Sequence, residues 1–130
     1  MGRNVELERP ETIYRQVTVL VTDSSATTLN LSTFGLYEGK WDPAFQPQPG
    51  VQISPGASPS YVNYTDQPFT GVGGFLTLTP MTGGQITISW SWEYGGTFWG
   101  TSSTKSTTLQ VSTQPINQQT NSVTLQVTIH

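Results

Sequence analysis

The sequence predicts an all-β fold, a two-sheet antiparallel β-sandwich of eight or nine short strands with no significant helix. Apolar residues recur at every second position in segment after segment, the period of a strand with one buried face. Nowhere do they recur at the three-and-four spacing of an amphipathic helix. Clusters drawn from the 13 glycines and nine prolines separate the apolar segments, and many short strands with such turns make a sandwich or a barrel.

The heaviest element is residues 85–100. Ile86, Ile88, Trp90 and Trp92 alternate with Thr87, Ser89 and Ser91, so one strand face carries four large apolar side chains. Glu93-Tyr94-Gly95-Gly96 then reads as a turn, and Phe98-Trp99-Gly100 as a loop that shows aromatic rings to the outside.

In chain order, residues 1–13 form a charged N-terminal arm ahead of a single domain over residues 14–130. Pro10 and the mixed charges of Arg3, Glu6, Glu8, Arg9 and Glu11 oppose regular structure there. Residues 16–22 form a strand with Val17, Val19 and Val21 on one face. Residues 28–33 form a second, with Leu29 and Leu31 inward, and the Asp23-Ser24-Ser25 turn predicts a hairpin between the two. Residues 34–41 continue with Gly35 and Gly39, where a bulge or a close backbone approach is expected. Five prolines between Pro43 and Pro59 exclude helix and leave room for a short strand near residues 51–54. Tyr61 and Asn63 alternate with Val62 and Tyr64, and either face suits solvent. The run Thr70-Gly71-Val72-Gly73-Gly74 reads as a tight turn requiring positive φ. After it come a strand with Leu76 and Leu78 inward and a hairpin turn at Pro80-Met81-Thr82-Gly83-Gly84. A strand over residues 105–113 carries Leu109 and Val111. A polar turn at residues 117–121 leads to a last strand in which Val123, Leu125, Val127 and Ile129 alternate strictly.

Composition narrows the function classes. The chain of 130 residues has no cysteine, so neither a disulfide framework nor a cysteine-based metal site is available. Only 10% of residues are charged and the net charge is −3, which leaves no broad basic face for nucleic acid. No apolar run approaches the length of a membrane-spanning helix. The charged start lacks the apolar core of a signal peptide, so a chain synthesised in the cytoplasm and released by another route is expected. The single histidine, His130, gives a catalytic triad or a histidine metal site no natural place. A carboxylate pair drawn from Glu38, Asp42, Asp66 and Glu93 is conceivable for glycoside cleavage. The expectation is nevertheless a protein that is not an enzyme and needs no cofactor.

Binding has more support. Trp41, Trp92, Tyr94, Phe98 and Trp99 flank turns, and amphipathic rings suit both a membrane–water interface and stacking on sugars. Lys40 and Lys105, the two lysines, stand near these rings or near hydroxyl clusters and suit a phosphate head group. A sugar-binding module would use the same rings, with Asn63, Asp66 and Gln67 as hydrogen-bonding groups. A purely structural β-protein, assembling through strand edges or the arm, is a third class.

Several of these features, in this order, resemble the aegerolysin family. They are the alternating valines of the first strand, Gly39-Lys40-Trp41, Pro55-Gly56, Gly73-Gly74-Phe75-Leu76, Trp92-Glu93 before a glycine loop, and Thr104-Lys105. In length and in its Asn/Gln/Thr-rich C-terminal part the chain is most similar to bacterial members that act in binary insecticidal toxins. The resemblance implies a β-sandwich that binds membrane sphingolipid, acts at a target-cell membrane, and recruits a larger protein partner to form a pore, with homo-oligomers possible. It further implies that Trp41 and Lys105 touch lipid, with Trp92 and Glu93 at the same end. The family's proline and tryptophan after the tryptophan–acid pair are replaced here by Tyr94-Gly95-Gly96, so Tyr94, Phe98 or Trp99 would supply the ring.

Overall fold

A computed structural model describes residues 12–130; most of the arm, residues 1–11, lies outside the described residues. The strands are β1 (Arg15–Asp23), β2 (Leu29–Glu38), β3 (Lys40–Trp41), β4 (Gln52–Ile53), β5 (Ser60–Thr65), β6 (Val72–Pro80), β7 (Gln85–Trp92), β8 (Trp99–Lys105), β9 (Val111–Ile116) and β10 (Ser122–Ile129). They make two five-stranded sheets, one ordered β3-β5-β1-β10-β9 and the other β4-β2-β6-β7-β8. Neighbours are antiparallel except β1 and β10, which pair in parallel.

The alternating rows meet between the sheets. Val17, Val19, Val21, Leu125, Val127 and Ile129 come from one sheet, and Leu29, Leu31, Leu76, Leu78, Ile86, Ile88 and Trp90 from the other; all are fully buried. This explains why the expected hairpin between the first two strands does not form. The valines of β1 and the leucines of β2 face each other across the interior rather than lying side by side, so the chain arches from one sheet to the other. The Asp23 carboxylate fixes that arch by accepting from the Ser25 amide and hydroxyl at 2.9 and 2.6 Å.

Three further expectations change. Gly73 and Gly74 belong to β6 and none of the residues in the run takes positive φ. Glycine is needed there for space: a Cβ on Gly74 would lie 2.6 Å from the Gly35 carbonyl oxygen and 2.9 Å from the Trp90 ring. The proline-rich stretch does hold one turn of 3-10 helix, Pro43–Phe45, with Pro43 in its first position and the Asp42 side chain accepting from the Ala44 amide. Proline is tolerated there because its missing N–H has no partner to lose. Finally, Trp99 opens β8 rather than lying in a loop, and residues 106–110 connect it to β9. With only hydroxyl residues between Gly100 and Lys105, β8 carries no apolar period to detect.

The sheets are linked through a buried amide. Asn63 on β5 is fully buried. Its side-chain oxygen accepts from the Trp90 indole N–H of β7 at 3.0 Å. Its side-chain nitrogen donates to the carbonyls of Glu38 and Lys40, both at 3.2 Å. Those two carbonyls flank Gly39, where the chain leaves one sheet and enters the other. Gly39 has φ +83°, and a Cβ there would meet the Asn63 amide nitrogen and the Tyr64 carbonyl oxygen at 2.7 Å.

Because a buried polar group without a partner costs about 1–3 kcal/mol, Asn63→Leu is expected to lower the unfolding free energy by about 2–4 kcal/mol. Trp90→Phe breaks the same bond, so the double variant should lose less than the sum of the two in urea denaturation. Strict additivity would show that the bond couples nothing.

Candidate functional site

Strand direction gathers one set of connections at one end of the sandwich. These are the start of β1, the corner at Gly39, residues 66–71, residues 93–98 and residues 117–121. Most of the large exposed rings lie here: Tyr14, Tyr37, Phe69, Tyr94 and Trp99, with Phe69 74%, Tyr94 55% and Trp99 52% exposed. Phe69 and Tyr94 come from different loops and meet edge to face with centroids 5.3 Å apart. Tyr37 stacks on Phe75 on the outer face of the second sheet.

Beneath them is a fixed layer. Trp41 is half-buried and packs edge-on against Trp90 and Phe34, each at 6.2 Å. Trp92 is 9% exposed and meets the half-buried Phe98 edge-on at 6.2 Å. Trp92, Phe98, Gly96, Thr97, Gln118, Gln119 and Val123 surround a shallow cleft of about 260 Å³.

The structure therefore brings Lys40, Trp41, Trp92, Glu93, Tyr94, Phe98 and Trp99 to one end and sorts them. Tyr94 and Trp99 are presented outward, Phe98 is intermediate, and Trp41 and Trp92 are mainly packing residues. Lys105 stands apart. It closes β8 at the opposite end, opposite Gln85, six strand steps or roughly 20 Å from Trp99. It cannot contact the same ligand as the rings. Lys40 is at the right end, but its ammonium is held 3.1 Å from Asp66 Oδ2.

Lys40, and then a hydrogen bond from Gln67, hold the Asp66 carboxyl below its ordinary value. Asp66 thus accepts from both Lys40 and the Gln67 side chain. Asn63, the third group expected to bind sugar, is a buried structural amide. Of the carboxylates considered for catalysis, Asp42 caps the 3-10 turn and Asp66 pairs with Lys40. Among the described residues no group of three or more His, Cys, Asp or Glu is placed to hold a metal ion.

Sequence reasoning missed Arg15. It stands two residues before Val17, in the same inward register as the buried valines of β1. From the mouth of the sandwich its guanidinium lies over Trp92, 5.2 Å from the ring centroid, and 5.8 Å from that of Tyr94. Its Nη1 donates to the Thr70 carbonyl at 2.9 Å. The signal was present in the sequence: a charge continuing a core-facing row.

The site defines a class: a β-sandwich whose one end combines a packed tryptophan layer with exposed rings and a stacked arginine. No family model and no curated protein matches the chain, but solved structures share its fold. One is the lipid-binding protein Nakanori, at TM-score 0.77 and 9% identity, covering 95% of this chain and 75% of that one. Another is RahU, solved with a TRIS molecule, at TM-score 0.67 and 17% identity, covering 90% and 96%. A third is the Xerocomus chrysenteron lectin XCL, at TM-score 0.62 and 10% identity, covering 89% and 99%. At these identities the likeness is one of fold.

Because Asp66 titrates below its usual 3.8 in the folded protein, the Lys40 pair adds stability above that pH and loses it as pH falls through the folded value. Solvent screening keeps the contribution small. In a carbon-detected NMR titration, Lys40→Met is expected to return the Asp66 carboxyl toward 3.8. An unchanged midpoint would show that the lysine is not the cause.

Proposed function

We propose that the protein binds membrane lipid of the sphingolipid type through this end of the sandwich. The observation that carries the reading is the gathering of Tyr14, Phe69, Tyr94 and Trp99, exposed rings from three separate segments, over a packed tryptophan layer. Tyrosine and tryptophan have an apolar body with a polar edge, and they gain most where one side is hydrocarbon and the other water. Area removed from water contributes about 25 cal/mol per Å². Two or three half-inserted rings then give modest monomer affinity, which clustering on a surface multiplies.

Nakanori, a lipid-binding protein on the same fold, supports this reading, as does the aegerolysin-like order of motifs. By the same resemblance, the protein acts at a target-cell membrane as the lipid-recognising component of a pore-forming or insecticidal toxin, with a larger protein partner. A second reading, a carbohydrate-binding module, is favoured by the cleft between Phe98 and the Gln118 and Gln119 side chains and by the lectin XCL among the fold neighbours.

Liposome flotation on sphingomyelin vesicles, with glycan competition in parallel, separates the two. Trp99→Ala and Tyr94→Ala are each expected to weaken vesicle binding about 10-fold, and the double variant about 100-fold, since each factor of ten is about 1.4 kcal/mol. Met81→Ala, an exposed apolar residue at the opposite end, should change nothing. Full competition by a soluble sugar with unaltered binding by both ring variants would overturn the lipid reading.

A further inference from the structure

The two lysines expected to meet a phosphate are both poorly placed for it. Lys40 is already paired with Asp66, and Lys105 is at the far end of β8. Arg15 has what they lack. Its guanidinium sits in the mouth between the sheets, against Trp92 and Tyr94. Its Nε is buried with no hydrogen-bond partner. Among the described residues no carboxylate pairs with it, and Thr70 supplies the one carbonyl it is bonded to.

A cation so placed is partly stripped of water and fixed in direction by two rings, with donors left over. Burying a charge without an anion is costly, and a guanidinium is shaped to give two parallel N–H donors to an oxyanion. The exposed rings of Phe69 and Tyr94 stand beside the same opening, so a group held by Arg15 would reach it between them.

We propose that Arg15 is the phosphate-binding residue of this end of the molecule, accepting the phosphodiester of a lipid head group between its guanidinium and the Tyr94–Phe69 pair. The proposal rests on the reading of this end as the ligand site, and deepens it by exchanging the lysines for Arg15. Trp92 is then a platform that holds the guanidinium flat, and Thr70 sets its direction. A free phosphate would satisfy the same chemistry.

The test compares full-chain wild type, Arg15→Gln and Arg15→Lys on two vesicle types with matched ceramide chains. One carries a phosphodiester head group (sphingomyelin) and the other a sugar in its place (glucosylceramide). Urea midpoints check that each variant is folded. Wild type is expected to bind the sphingomyelin vesicles at least about 10-fold more tightly than the glucosylceramide ones. Arg15→Gln should lose that preference while keeping the residual ring-driven binding common to both, with Arg15→Lys between.

Equal binding of wild type to both vesicles overturns the proposal, and does so even if Arg15→Gln fails to fold. Undiminished preference in a folded Arg15→Gln overturns it too. In both cases lipid binding itself survives. If wild type floats with neither vesicle, the lipid reading falls, and titration of inorganic phosphate against the Arg15 Nε–H NMR signal decides the rest. A saturable shift keeps Arg15 as a reader of free phosphate; no shift removes the role altogether.

Discussion

The hydrogen bond from the Trp90 indole to Asn63 is the contact on which the geometry of the ring-bearing end depends. The indole is the largest fully buried side chain in the protein, and room for it comes from the missing side chain at Gly74. The amide that receives its N–H turns its other end on the carbonyls either side of Gly39. One interaction thus fixes three things: the distance between the sheets, the point where the chain changes sheet, and the placement of Trp41, which follows that corner by two residues and packs on Trp90. A polar group sealed at this depth is tolerable only when fully partnered, and the corner can form only with the glycine that permits it.

That rigidity matters for the rings above. Trp41, Trp90 and Trp92 form a floor that does not have to be ordered when a ligand arrives. Arg15 is likewise held in advance by two rings and a carbonyl. Association loses less free energy when side chains are immobilised beforehand. The mobile part of the cost falls on Phe69, Tyr94 and Trp99, rings with few rotatable bonds. A sandwich end built this way suits a flat or shallow target better than a deep one, because the space between the sheets is already filled by Trp92 and Arg15.

Much of this fold was legible. The alternating rows of β1, β6, β7 and β10 lie inward as their period dictates, and the glycines at Gly83 and Gly84 turn the β6–β7 hairpin with positive φ. Pairing was less legible, because period two tells which face is buried and not which strand is the neighbour. That is why β1 and β2 read as a hairpin although they lie in opposite sheets. The run at Gly71–Gly74 was misread because glycine serves both for backbone freedom and for closeness, and only the Trp90 ring tells which. β8 was hidden by its hydroxyl composition. At the site, ring positions beside turns were readable, whereas the far placement of Lys105 and the neutralising of Lys40 by Asp66, 26 residues on, depend on which loops share an end. Arg15 escapes a reading that starts the first strand at Gln16, one residue short of the charge that continues its valine row.

Charge distribution narrows the way this end can meet a surface. Of the described residues gathered there, Arg15 and Lys40 face Glu38, Asp66 and Glu93, two cations against three carboxylates, within a chain of net charge −3. Such a balance gives no long-range attraction to an anionic bilayer, whose field at physiological salt fades within about 8 Å in any case. On the proposed lipid reading, attraction would therefore begin at contact, with ring insertion and the short-range reach of a single oriented guanidinium. Recognition of that kind depends weakly on bulk ionic strength and strongly on head-group shape. In this chain the shape is set by the opening between Tyr94 and Phe69, and hence by loops that the buried Trp90–Asn63 link holds at their bases.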